Sequence, residues 1–137
     1  MIRTANATWT GGLKDGDGKF SVGSGAFVDQ KFSFRTRFEG EIGANPEELI
    51  AAAHSSCFSM AFSAQLGERG ITPESVATVA HVTFENLSLT KSALVTTVTA
   101  PGADAALVEE AAAAAKAGCP ISKVLNLEIT LDLTVSV

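Results

Sequence analysis

The chain has 137 residues, of which 46% are hydrophobic and 18% charged, with a formal net charge of −5. Its length and composition predict one domain over residues 1–137 with a substantial core, and the acidic balance argues against nucleic-acid partners, which require a basic surface. No signal peptide is indicated at the N-terminus and no segment is apolar for long enough to span a membrane, so we expect a cytoplasmic protein that does not bind membranes.

The N-terminal third predicts strands joined by glycine-rich turns. A first strand is expected around 8–10, and turns are indicated at 14–18 and 23–25. From Lys31 to Glu39, aromatic and polar residues alternate in the pattern of a half-buried strand. Arg37 would then lie on the face opposite the phenylalanine rings.

A long and nearly uncharged helix follows. Asn45 fits its N-cap and Pro46 its first helical position. The helical pattern continues to about 67–70. Because nearly every residue between Leu49 and Leu66 is apolar or small, we expect this helix to be central and buried on most sides.

The second half of the chain predicts strands around one further helix. Two strands are expected, around 80–84 and at 92–100, followed by a helix that starts after Asp104 and stops at Gly118. The alternation over 125–137 predicts the clearest strand. The fold class is therefore α+β, with antiparallel strands packed on two helices.

Two cysteines, Cys57 and Cys119, are the candidates for thiol chemistry, although both could be inert buried thiols. Cys57 lies about 18 Å from the start of its helix, where the helix dipole has little effect, so its reactivity would require a cation from elsewhere in the fold. Cys119 lies between Gly118 and Pro120, where a short helical turn could begin. Its backbone N–H groups would make Cys119 the more acidic thiol.

His54 precedes Cys57 by about one helical turn and has two interpretations. It is either a packed, hydrogen-bonded core histidine or a base or metal ligand beside the thiol. A zinc site would have to use His54, Cys57, His81 and Cys119, of which only His54 and Cys57 have local ligand spacing. The favoured expectation is a protein without metal or cofactor.

Four motifs, in order along the chain, resemble the OsmC (osmotically inducible protein C) branch of the OsmC/Ohr thiol peroxidase family. They are TRFEG at 36–40, NPEEL at 45–49, HSSCFSM at 54–60 and GCPIS at 118–122. The resemblance implies an OsmC/Ohr-like fold, with strands wrapped around two helices in an intertwined homodimer. It also implies reduction of organic hydroperoxides, and less efficiently of hydrogen peroxide, in defence against oxidative or osmotic stress.

The same resemblance implies the roles of four residues. Cys57 matches the peroxidatic cysteine and Cys119 the resolving cysteine, which together form an intramolecular disulfide. Arg37 matches the arginine that stabilises the thiolate, and Glu48 the glutamate that holds this arginine. A cation is needed because an ordinary thiol is only a few per cent thiolate at neutral pH. Turnover implies a dithiol reductant, for example a lipoyl-bearing protein.

Helix geometry adds a constraint on this site. Glu48 and Cys57 are separated by a rise of about 13 Å and half a turn, so their side chains cannot meet on one helix. If they share a site, two copies of the helix must contribute to it. The alternative function is a non-enzymatic redox sensor or carrier that uses the same disulfide.

Overall fold

The computed structural model describes all 137 residues, which divide into two compact units. The N-terminal unit comprises residues 1–49 and the C-terminal unit residues 50–137. The single domain expected over 1–137 stays a prediction, because a division of this kind does not test it. None of the helices combines the length and the apolar character that crossing a bilayer requires.

The N-terminal unit is built on a three-stranded antiparallel sheet. Its strands are β1 (Ala5–Thr10), β2 (Asp17–Val22) and β3 (Gln30–Phe32), hydrogen-bonded in that order. The rings of Trp9 and Phe20 pack on Phe32, with centroid distances of 5.7 and 6.3 Å. Strands joined by turns are therefore confirmed for this part of the chain.

A short helix, α1 (Phe34–Phe38), replaces most of the strand predicted over 31–39, so that prediction is wrong. Ser33 caps the helix: its hydroxyl accepts from the Thr36 N–H at 3.1 Å, and its own N–H donates to Thr36 Oγ1 at 2.8 Å. Phe34 and Phe38 fit a helix as well as a strand, because residues four apart share a helix face. Their ring centroids lie 4.8 Å apart.

The long helix α2 (Pro46–Glu68) has the predicted start and length. The Glu48 N–H donates to Asn45 Oδ1 at 2.8 Å, which confirms Asn45 as the N-cap. Within one chain only a single face is buried, at the four-residue spacing of His54, Phe58, Phe62 and Leu66. Met60 is 75% exposed. The expectation of burial on most sides is therefore not met by a single chain.

The C-terminal unit contains the second sheet and two further helices. The strands are β4 (Ser75–Glu85), β5 (Ser88–Thr99) and β6 (Glu128–Ser136), and the helices are α3 (Ala105–Gly118) and α4 (Pro120–Val124). Central β5 pairs antiparallel with β4 and parallel with β6. The prediction of antiparallel strands is therefore wrong for β6. The helical crossover between β5 and β6 allows them to run in the same direction.

The core of the C-terminal unit is formed by α2, α3 and the central strand β5. Phe58 and Phe62 of α2 and Leu94 and Val98 of β5 are completely buried. The alanines on the buried face of α3 have side chains small enough for close packing. Cys119, directly after α3, belongs to the same core and is also fully buried. This packing fixes the backbone on which the candidate site is built.

Candidate active site

The two cysteines lie side by side in the C-terminal unit. Their Sγ atoms are 3.2 Å apart, and both are free thiols. Cys57 is partly buried on α2, whereas Cys119 is fully buried at the end of α3. Since a disulfide has an S–S length of about 2 Å, a small movement of either side chain would bring the two sulfurs to bonding distance once one of them has been oxidised.

The surroundings of Cys119 favour its thiolate. The chain turns here because the Cys119 N–H donates to the Ala115 carbonyl at 2.8 Å and the Cys119 carbonyl accepts from the Lys123 N–H at 3.1 Å. Burial acts to raise the pKa of the thiol, but hydrogen bonds to the sulfur from Ser122, Cys57 and Ile121 outweigh it. The net pKa of Cys119 therefore lies below its ordinary value.

The pKa of Cys57 is shifted in the opposite direction, above its ordinary value. Burial raises the pKa of its thiol, the Ile121 N–H opposes this in part, and the neighbouring Cys119 raises it further. Within the C-terminal unit, Cys119 is thus the more acidic thiol, as the local argument from the sequence predicts. A peroxidatic Cys57, as the resemblance implies, would require the reverse order and therefore a cation beside its sulfur.

His54 is a packed and fully hydrogen-bonded core residue, which confirms the first of its two interpretations. It is completely buried, with Nδ1 2.7 Å from Ser92 Oγ and Nε2 2.9 Å from Ser122 Oγ. Burial lowers the pKa of its ring, so His54 is neutral at physiological pH. No three His, Cys, Asp or Glu side chains are grouped so as to hold a metal ion.

In the N-terminal unit, three hydrogen bonds join the guanidinium of Arg37 to the carboxylate of Glu47. Its Nη2 lies 2.6 Å from Glu47 Oε1, and its Nε lies 3.1 and 3.3 Å from the two oxygens of Glu47. The guanidinium also lies over the ring of Phe38, 5.2 Å from its centroid. The resemblance implies Glu48 as the residue that holds Arg37, and that role stays a prediction.

An apolar cavity of about 310 Å³ lies beside this arginine in the N-terminal unit. Its wall includes Trp9, Phe32, Phe34 and Phe38, together with Arg37 itself. Sequence reasoning assigned Arg37 to a strand, on the face opposite the aromatic residues. The capped turn of α1 instead brings Arg37, Phe34 and Phe38 to one cavity.

Sequence reasoning missed several residues of the site. Glu47 lies within the NPEEL motif, but the resemblance assigns the contact with Arg37 to Glu48. Ser92 carries no local signal because its partner His54 is distant in the chain. Ser122 lies within the GCPIS motif. Its position three residues after Cys119 is the one signal that could have pointed to it.

Two free thiols in contact, with hydrogen-bond donors directed at one of the sulfurs, are the arrangement of a dithiol redox protein. Comparison with known proteins makes this class more specific. The family model described as OsmC-like protein matches residues 38–134. Peroxiredoxin OsmC of Escherichia coli K12 is 49% identical over 134 residues, covering 95% of this chain and 94% of the relative. The chain therefore belongs to the OsmC-like family.

Solved structures agree with this family and with the expected α+β fold. An organic hydroperoxide resistance protein from Elizabethkingia anophelis, crystallised with thiocyanate bound, is 26% identical, with a TM-score of 0.69 over 99% of this chain and 97% of the other. OhrB of Bacillus subtilis is 24% identical, with a TM-score of 0.69 over 96% of this chain and 98% of the other. The resemblance found in the sequence motifs is thus confirmed at the level of family and fold.

Proposed function

We propose that this protein is a thiol-dependent peroxidase that reduces organic hydroperoxides, and hydrogen peroxide less efficiently, in defence against oxidative or osmotic stress. The observation that carries the proposal is the 3.2 Å contact between the free thiols of Cys57 and Cys119. Further support comes from the relatives, one named a peroxiredoxin and others organic hydroperoxide resistance proteins.

The reaction proceeds in three steps. The Cys57 thiolate attacks the peroxide, so that an S–O bond forms, the O–O bond breaks, and the alkoxide leaves as an alcohol after taking up a proton. Cys119 then attacks the sulfenic acid on Cys57; the S–S bond forms and the hydroxide leaves as water. A dithiol reductant, for example a lipoyl-bearing protein, restores both thiols by exchange.

The first step requires a cation beside Cys57, because burial raises the pKa of this thiol. Arg37 of a second copy supplies it in the proposed homodimer. The exposed face of α2 has the small and uncharged character that a helix buried between two chains needs. This face includes Ala52, Ala53, Ser56, Met60 and Ala64.

The substrate's organic group has a candidate site in the cavity beside Arg37. Aromatic walls suit an alkyl or aryl group, and the guanidinium can donate to the peroxide oxygens. Glu47 holds the guanidinium through three hydrogen bonds. Glu48 is the second candidate partner of Arg37, because the family resemblance implies it.

Steady-state assays with several hydroperoxides, each with a dithiol and with a monothiol, test the function. We expect repeated turnover with the dithiol and higher kcat/KM for organic hydroperoxides than for hydrogen peroxide. The alternative function, a non-enzymatic redox sensor or carrier, predicts that each molecule reacts once and does not turn over in excess dithiol.

Chain exchange between two inactive variants tests the contribution of a second copy. A heterodimer of Cys57→Ser and Arg37→Ala chains has one site with both defects and one with both residues intact. Activity should therefore return when the two variants are mixed. If native mass spectrometry confirms the exchange and the mixture stays inactive, Arg37 does not act on the Cys57 of a partner chain.

A further inference from the structure

We propose that Thr36 positions Arg37 for the reaction, because its side chain ties α1 to the segment in front of α2. We call this side chain, with its contacts to Ser33, Gly43 and Ala44, the Thr36 latch. The inference rests on the role proposed above for Arg37, which must be held in one place to act on a thiolate and a peroxide. Thr36 is a positioning residue, since it acts through Arg37 and not on the substrate.

The hydroxyl of Thr36 connects the two sides of the latch. It accepts from the Ser33 N–H at 2.8 Å and donates to the Ala44 carbonyl at 2.9 Å. The Ser33 carbonyl, at 3.1 Å, is a second acceptor within reach, but it already accepts from the Arg37 N–H at 3.2 Å. Thr36 and Ser33 are both only 5% exposed, so solvent cannot easily replace these bonds.

The helix α1 is too short to hold Arg37 in place by itself. It has five residues, and Arg37 lies in its last turn. A helix of this length is not stable alone, because so few hydrogen bonds do not offset the cost of ordering the backbone. The loop 39–45, which connects α1 to α2, contains two glycines, and Gly40 has a φ of 71°. A bond across this loop is therefore needed to keep Arg37 at a fixed distance from Glu47.

The latch joins the two segments that form the candidate substrate site. Arg37 directly follows Thr36, and its ion-pair partner Glu47 lies three residues after Ala44. Ser33 and Ala44, which the hydroxyl bridges, both line the cavity of about 310 Å³ beside the arginine. One side chain thus holds the arginine, its carboxylate and two parts of the cavity wall in one arrangement.

Helix capping alone does not explain this residue. In an ordinary capping box the third helical residue is Glu or Gln, whose side chain reaches back to the cap. The Thr36 hydroxyl also reaches back, but its bond to Ala44 leaves the helix and adds nothing to the cap. Its methyl group packs on Gly43, where an added Cβ would lie 2.5 Å from Thr36 Cγ2. Both branches of the side chain are therefore fitted to the loop.

Two substitutions separate the hydroxyl of Thr36 from its shape. Thr36→Val has nearly the same volume and removes the hydroxyl, whereas Thr36→Ser keeps it. Thr8→Val is the matched control, because Thr8 is exposed on β1 of the same unit. After rapid mixing with one equivalent of organic hydroperoxide, we expect Thr36→Val to slow the oxidation of Cys57 by about tenfold. Thr36→Ser and Thr8→Val should stay close to the wild-type rate.

The variant Gly43→Ala tests the latch from the side of the loop. The added methyl group would displace Thr36 without removing its hydroxyl, so this variant should also slow the oxidation of Cys57. Combining Gly43→Ala with Thr36→Ser removes the clashing Cγ2 and should restore part of the rate. This rescue distinguishes displacement of Thr36 from a general loss of folding, which circular dichroism of each variant measures separately.

A pH profile and a double-mutant cycle show whether Thr36 acts through Arg37. In a Cys119→Ser background only Cys57 can be alkylated, and Thr36→Val should move the midpoint of this reaction to higher pH, since a displaced cation stabilises the thiolate less. In an Arg37→Ala background, Thr36→Val should change neither the oxidation rate nor the midpoint further.

The results that would overturn the latch differ from those that would refute the proposed function. Equal oxidation rates in Thr36→Val and Thr36→Ser, or a full further loss when Thr36→Val is added to Arg37→Ala, would overturn the latch. A wild-type rate in Arg37→Ala itself would instead refute the role of Arg37 in the proposed function.

Discussion

Glu47 and Glu48 are adjacent carboxylates in the first turn of α2, and they differ in their contacts. Glu47 holds the guanidinium of Arg37, whereas the Glu48 N–H donates to the cap residue Asn45. Replacing either by glutamine removes one negative charge and preserves the shape of the side chain. The pair of variants Glu47→Gln and Glu48→Gln therefore separates the contact with Arg37 from the general effect of charge at a helix start.

The contacts of the two carboxylates give the expected difference in the free energy of unfolding between Glu47→Gln and Glu48→Gln. Both variants lose about 0.3–1 kcal/mol of interaction with the helix N-terminus. Glu47→Gln also loses a two-point ion pair. Two unit charges about 4 Å apart attract by about 4 kcal/mol at an effective dielectric constant of about 20. The side chains of Arg37 and Glu47 are 35% and 15% exposed, so we reduce the net contribution to about 1–2 kcal/mol.

Urea denaturation of the two variants measures this difference in the free energy of unfolding. Glu47→Gln should be less stable than Glu48→Gln by about 1–2 kcal/mol. Its peroxide rate constant should also fall, by about tenfold, because Arg37 is held less firmly. If Glu48→Gln loses as much as Glu47→Gln, or more, in both measurements, the reasoning from the ion pair is refuted, and Glu48 holds Arg37 as the family resemblance implies.

Three further predictions concern the C-terminal unit. Leu87 in the β4–β5 turn has a φ of 60° and is 85% exposed, so Leu87→Gly should raise the free energy of unfolding by about 1 kcal/mol in urea titrations; an unchanged or lower value contradicts this. Cys57→Ser should abolish the first peroxide reduction, whereas Cys119→Ser should keep one reduction, lose dithiol turnover and over-oxidise at Cys57; reversed phenotypes would make Cys119 the peroxidatic thiol. Because burial lowers the pKa of folded His54 below 6.5, the unfolded chain binds this proton first as the pH falls. Stability should decline below about pH 6.5, and His54→Gln should have a shallower decline, whereas equal slopes would exclude His54 as the cause.

The parts of the fold that could be predicted from the sequence are those with strong local signals. Asn45 and Pro46 fix the start of α2 whatever the rest of the chain does, and the Asp104 N-cap likewise marks the start of α3. The strand predicted from the alternation at 31–39 is wrong, since the spacing of Phe34 and Phe38 fits both a strand and a helix. The reciprocal hydrogen bonds between Ser33 and Thr36 decide in favour of the helix.

The parts that could not be predicted depend on contacts between distant segments. The direction of β6 depends on the path of α3 and α4 and not on its own alternating pattern. For the site, the resemblance implies that Cys57 and Cys119 form a pair, and the helical turn expected after Gly118 predicts that Cys119 is the more acidic thiol. The contacts that set the two pKa values, namely burial and the Ser122 and Ile121 hydrogen bonds, cannot be read from the sequence. Ser92 joins the site only through the folded position of His54.

The most direct test of the central claim is to map the cysteines after one equivalent of an organic hydroperoxide. The protein is oxidised, quenched with an alkylating agent, digested without reduction and analysed by mass spectrometry. We expect an intramolecular disulfide between Cys57 and Cys119 in every reacted chain, and its complete reversal by a dithiol. Intermolecular bridges alone, or sulfinic acid on Cys57 while Cys119 remains a free thiol, would contradict it.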